Sequence, residues 1–99
     1  MFTVVSKFTV ANNMTKEVKD AFMNRPHLVD KASGFVRLDV LSPRDTSDEI
    51  WLITYWKNED SFNAWHRSHA FKESHRLMPK GLKLVTQNTK IRYFDHVAT

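Results

Sequence analysis

Ile50-Trp51-Leu52-Ile53-Thr54-Tyr55-Trp56 reads as a β-strand, from its length and its β-branched and aromatic residues, and it is apolar on both faces. Ile50, Leu52 and Trp56 point one way, and Trp51, Ile53 and Tyr55 point the other. An antiparallel strand with one solvated face should carry polar residues on that face. Both faces of this strand therefore need cover, and the helices of one small domain can supply only one layer. A second copy of the chain is the simplest source of the other, so a homodimer is expected. The competing cover is the chain's own ends, lying over Trp51 and Tyr55.

Upstream, Ser42-Pro43-Arg44-Asp45-Thr46-Ser47-Asp48 is a polar turn, and Phe35 to Leu41 is its partner strand in a hairpin. The alternation puts Phe35, Arg37 and Asp39 on one face. Gly34 ends the segment before it. The first strand, Phe2 to Val10, sets Phe2, Val4, Ser6, Phe8 and Val10 on one face. Asn12-Asn13 is a turn or cap signal, and a helix follows from Thr15, with Val18, Ala21, Phe22 and Arg25 on its inner face. Pro26 interrupts that helix, which restarts through His27-Leu28-Val29-Asp30.

Downstream, Asn58-Glu59-Asp60-Ser61 caps a helix carrying Phe62 and Trp65, and Ser68 caps another carrying Ala70, Phe71, His75 and Leu77. Pro79 and Gly81 stop it. Leu82 to Thr89 is ambiguous, and Lys90 to Val97 alternates weakly as a last strand. The order β-α-β-β-α-β is the ferredoxin-like α+β pattern, an antiparallel sheet with both helices on one face. The 99 residues, with two Gly and three Pro and no repeat or linker, make a single domain, residues 1–99.

The chain has no Cys, which excludes thiol catalysis, disulfides and Cys-type zinc sites and suits a cytoplasmic protein. The start of the chain does not read as a signal peptide, and no apolar stretch reaches the length of a membrane span. The net charge of +4 comes from 15 Lys and Arg that are scattered, without a run of three, which describes a solvated basic surface rather than a nucleic-acid stripe. No Gly-rich phosphate loop is present, so no flavin or nicotinamide site is expected.

Ser6 is a lone polar residue in an apolar stripe, either satisfied by nearby backbone or functional. His66 and His69 have a metal-like spacing, but Ser68 breaks the helix between them. His75 follows Phe71 by four residues and precedes Met78 by three, so the three share a helical face. Such a His is either a packed rim residue or an axial heme ligand. Phe62 and Trp65 are either core or the lining of a flat apolar pocket.

From Trp56 to His75 the chain has the skeleton W-x-x-x-x-x-F-x-x-W-x-x-S-x-x-F-x-x-x-H. This resembles the antibiotic-biosynthesis monooxygenase superfamily, and within it the bacterial heme-degrading monooxygenases with a dimeric α/β-barrel fold. Ser33-Gly34-Phe35 and Leu41-x-Pro43 fit the same pattern. The resemblance implies two subunits joined through their sheets, with heme held between sheet and helices as both substrate and cofactor. His75 matches the proximal heme-iron ligand, and Trp65 matches the Trp that presses on the porphyrin and ruffles it. Phe22, Arg25, Phe62 and Phe71 would line the pocket.

One position departs from the pattern. Heme degraders of this type carry an Asn on the first strand that hydrogen-bonds the distal ligand, and Ser6 stands there instead, with a shorter reach. The implied catalytic residues are Trp65 and Ser6, with electrons from an external reductase. Two other readings share the same pocket: a cofactor-independent monooxygenase of a small aromatic molecule, and a non-enzymatic heme carrier or sensor. An RNA-binding module has the same element order, but Phe35, Arg37 and Asp39 make a poor stacking platform.

Overall fold

The computed structural model describes residues 1–76 and 90–99, with 74–76 described by backbone alone. The elements are β1 (Phe2–Thr9), α1 (Thr15–Met23), a 3-10 turn (Val29–Lys31), β2 (Phe35–Leu41), β3 (Glu49–Trp56), α2 (Glu59–His66), α3 (His69–Arg76) and β4 (Lys90–Asp95). The strands form an antiparallel four-stranded sheet in the order β2-β3-β1-β4. This is the ferredoxin-like α+β arrangement that the element order predicts. The expected stop at Pro79 and Gly81, and the ambiguous stretch Leu82 to Thr89, lie outside the described residues.

Local chemistry sets the boundaries. Asn12 and Asn13 both take left-handed backbone angles, φ 60° and 55°, which turn the chain from β1 into α1. Gly34 closes the segment before β2 at φ 80°, with its carbonyl accepting from the Lys57 amide at 2.7 Å. The Asn58 carboxamide caps α2 by accepting from the Ser61 amide at 2.9 Å and the Ser61 hydroxyl at 2.8 Å.

The helix side of the sheet holds two buried clusters. Val4, Val29, Trp56 and Phe62 make one, with Phe2, Ala32, Phe35, Leu38 and Trp65 packed on it. Phe8, Val10, Val18 and Ile50 make the other, with Met14, Phe22, Val40 and Leu52. Trp56, Ile50 and Val18 are fully buried, and a side chain of that kind contributes about 1.5–3 kcal/mol on burial. As expected, Ile50, Leu52 and Trp56 face the helices while Trp51, Ile53 and Tyr55 face away.

Two expectations are corrected. Strict alternation puts Phe35 with Arg37 and Asp39, but Phe35 pairs with Trp56 and Arg37 with Tyr55, so an extra residue is accommodated between them. Phe35 therefore joins the core on the helix side, and Val36 is left 52% exposed. Arg25 is not on the inner face of α1. The helix ends at Met23 and is capped at Asn24, and beyond Pro26 the chain forms only the short 3-10 turn at Val29–Lys31.

Candidate functional site

Ser6 lies on β1 between Val4 and Phe8, which belong to different clusters. Its register partners are Leu52 on β3 and Ile91 on β4, so these side chains share the helix side of the sheet. Ser6 is half-buried, and its hydroxyl makes no hydrogen bond to another described residue. On the β4 side the floor is open: Ile91 is 49% and Tyr93 59% exposed. Among the described residues, the two clusters close the ends of this face and leave an apolar strip along β1 and β4 between them.

A row of rings runs from Tyr93 on β4 to Phe71 and Trp65 on the helices. Tyr93 stacks on Phe2 with centroids 5.9 Å apart and meets Phe62 nearly edge-on at 5.9 Å. Phe62 lies 5.6 Å from the His66 imidazole, which lies 4.6 Å from Phe71. Phe71 in turn meets Trp65 edge-on at 6.0 Å. Such pairs add about 0.5–1.5 kcal/mol each beyond area burial and hold ring orientations.

Ser68 creates this convergence. Its hydroxyl donates to the Trp65 carbonyl at 2.6 Å and accepts from the Phe71 amide at 3.1 Å, so one side chain ends α2 and starts α3. The chain turns there, and Phe71 folds back on Trp65 and His66. His75 stands one helical turn beyond Phe71 on α3; its side chain lies outside the described residues, as does Met78.

The structure thus brings Phe62, Trp65 and Phe71 together. Trp65 packs on the first cluster and also borders an outer groove with Leu28, Ala32 and Ser68. Phe22 is in the other cluster, 6.4 Å from Phe8. The Arg25 guanidinium is engaged by Asp30 at 3.0 Å, and the same carboxylate lies 3.1 Å from the His27 ring. Burial alone would push the Asp30 carboxyl up, but hydrogen bonds from Arg25 and His27, together with their charge, hold it below its ordinary value. Among the described residues no three His, Cys, Asp or Glu side chains gather into a metal site, and His69 pairs with Glu73 at 3.4 Å.

Sequence reasoning missed Ile91, Tyr93 and the aromatic role of His66. The signal for the first two was the Ile91/Tyr93 alternation against Arg92/Phe94, which places them on the helix side only once the β1–β4 register is known.

Residues 1–77 match the sequence profile of the family described as antibiotic biosynthesis monooxygenase. Over 74 residues the chain is 34% identical to a heme-degrading monooxygenase of Bacillus mycoides, covering 73% of this chain and 68% of that one. Among solved structures, it is similar to SnoaB, a cofactor-independent oxygenase from Streptomyces nogalater, with a TM-score of 0.78, 22% identity, and coverage of 99% of this chain and 94% of that one. It is also similar to the heme-degrader MhuD from Mycobacterium tuberculosis with two hemes bound in its active site, with a TM-score of 0.81, 19% identity, and coverage of 100% and 98%. Both likenesses are of fold.

Proposed function

This chain belongs to the antibiotic biosynthesis monooxygenase family, and on that premise we propose that it is a heme-degrading monooxygenase, working as a homodimer with electrons from a separate reductase. The observation that carries this reading is the strip along β1 and β4, apolar among the described residues, with the row of rings that runs from Tyr93 through Phe62, His66 and Phe71 to Trp65, and with His75 on the helix that ends the row. A flat apolar ligand with one solvated edge fits such a strip. The 34% identity to a heme-degrading relative supports the same substrate.

In this reading His75 holds the heme iron, and Trp65 presses on the macrocycle from a position fixed by Phe71 and the first cluster. Phe62 and Phe71 line one end of the site and Phe22 the other, while Arg25 is held beyond it by Asp30. The bound heme supplies the oxygen chemistry, and the protein supplies position and distortion. Ser6 offers one hydroxyl in the floor, as donor or acceptor.

The dimer rests on the other face of the sheet. Val5, Trp51, Ile53, Tyr55 and Phe94 crowd its centre, and Arg37 and Arg92 lie over the Tyr55 and Phe94 rings at 4.7 and 4.9 Å. Thr3 is 8% exposed on the same face, and its buried hydroxyl has no hydrogen-bond partner among the described residues. A second sheet would cover this surface. No helix among the described residues is long and apolar enough to cross a membrane, and a cysteine-free chain suits the cytoplasm.

Titration with hemin, followed at the Soret band, tests the site. The expected result is a saturable shift at about one heme per chain, lost in His75→Ala, then loss of porphyrin absorbance when reductant and O2 are added. A saturable shift without that loss would make the protein a heme carrier or sensor. No specific shift would favour the cofactor-independent oxygenase reading; the short Ser6 side chain in the floor favours the heme carrier instead.

A further inference from the structure

We infer that Ser68 is a positioning residue: its hydroxyl holds Trp65 and the helix that carries His75 in one fixed relation, and so sets how a flat ligand is gripped and bent between them. The inference deepens the heme reading proposed above, but the joint itself is part of the fold. Two hydrogen bonds meet on this one oxygen. It donates to the Trp65 carbonyl at 2.6 Å and accepts from the Phe71 amide at 3.1 Å. The Trp65 and Phe71 rings meet edge-on at 6.0 Å across the same turn. Trp65 and Phe71 are therefore tied twice, once through the backbone and once through their rings.

The two bonds have different consequences. Accepting from the Phe71 amide is an N-cap, which satisfies an amide that the first turn of α3 leaves open. Donating to Trp65 is not needed for that purpose. The Ser68 amide already donates to the same carbonyl at 2.9 Å, so the carbonyl keeps a partner without the hydroxyl. What the second bond adds is direction. It fixes the Ser68 side chain, and with it the angle at which α3 leaves α2.

That angle acts at a distance. Among the described residues α3 packs chiefly on α2 and the 3-10 turn. His75 lies seven residues beyond Ser68, about 10 Å along a helix axis. A tilt of about 10° at the joint carries its backbone sideways by about 2 Å. Trp65, on the near side of the joint, is anchored to the first cluster and does not follow. A ligand held by His75 and pressed by Trp65 would then lose its fit to one of them. A misplacement of about 1 Å is enough to lower a rate by about a hundredfold.

Substitutions at Ser68 separate the bonds. Ser68→Asp keeps an acceptor for the Phe71 amide and removes the donor to Trp65, Ser68→Thr keeps both, and Ser68→Ala removes both. The full chain is labelled with fluorotryptophan, which gives fluorine NMR signals for Trp51, Trp56 and Trp65, and Trp65→Phe assigns the last. Without heme, Ser68→Asp should shift the Trp65 signal, leave that of the fully buried Trp56 in place, and unfold at the wild-type urea midpoint. Ser68→Ala should show the same shift with a lowered midpoint, and Ser68→Thr should match wild type. With hemin, reductant and O2, Ser68→Asp should lose about ten- to hundredfold in the rate of porphyrin loss while its hemin affinity changes by less than about threefold, and Ser68→Thr should restore the rate. If wild type takes up no hemin, or holds it intact, while the NMR results stand, the heme-degrading reading fails and the placing of Trp65 by Ser68 stands. An unmoved Trp65 signal or a wild-type rate in Ser68→Asp overturns the inference, as do losses of rate that only follow the urea midpoint.

Discussion

Ser6 stands directly opposite Ile91 in the β1–β4 register, on the side of the sheet that faces the helices. The pair sets one hydroxyl beside an apolar side chain that is 49% exposed, in the interval between the two buried clusters. A flat ligand on the strip would meet a polar contact from the floor at this point.

Ser6→Ala is expected to lower heme turnover by about three- to tenfold, the range one hydrogen bond covers, and Ser6→Asn to raise it by a similar factor through its longer reach. Loss of porphyrin absorbance under reductant measures both. Unchanged rates in the two variants would take Ser6 out of the reaction.

Ile53→Asp should convert the proposed dimer to a monomer. Ile53 is flanked across the sheet by Val5 and Asp39 on the face turned from the helices. A carboxylate buried there against a second sheet, beside Asp39, whose charge Arg37 already pairs, costs several kcal/mol. Light scattering over a range of concentrations reads the outcome, and an unchanged mass would place the contact between subunits elsewhere.

Gly34→Ala should destabilise the fold by about 1–3 kcal/mol. A Cβ on Gly34 would collide with the Ser61 hydroxyl oxygen and stand 2.5 Å from its Cβ, at a backbone φ of 80°. The residue it strikes is held by the α2 cap, so the strain passes directly to the helix carrying Phe62 and Trp65. Urea unfolding gives the magnitude.

Asp30 predicts a pH dependence. Its carboxyl is held below the ordinary value, with the effects of Arg25 and His27 exceeding the upward push of burial. A carboxyl lowered in the folded state binds fewer protons there than in the unfolded chain. Its stabilising effect is therefore full above the ordinary carboxylate pKa of about 3.9 and fades as pH falls through the lowered value. The group is 40% exposed, so the effect is small. Asp30→Asn should flatten the stability profile at that acid end and leave it unchanged in shape near neutrality.

Much of this architecture was legible in the sequence because it is set by short-range rules. The alternation of Ile50 to Trp56, the Asn58 cap and the break at Ser68 each depend on residues within a few positions of one another. Phe62, Trp65 and Phe71 were legible as a group because one helical stretch with one break carries them all. The departures come from longer range. Nothing near Phe35 announces the extra residue in β2, which is settled by the pairing with Trp56 and Tyr55 on another strand. Arg25 continues the helical spacing of Val18, Ala21 and Phe22, but the Pro26 ring ends the helix early and Asp30 captures the side chain. Tyr93 gains its place only when β4 returns to pair with β1.

The irregularity at Val36 also matters for how the molecule meets its neighbours. β2 is an outer strand of the sheet, and a smooth outer strand invites an extended segment of another molecule to zip onto its free amides and carbonyls. The extra residue shifts that row out of step partway along and bends the strand. Arg37 and Asp39, ion-paired at 3.1 Å just beyond it, add charges that an incoming strand would have to strip of water. The rim is thereby poorly suited to growth into fibres, which leaves the apolar sheet surface as the place for the proposed association.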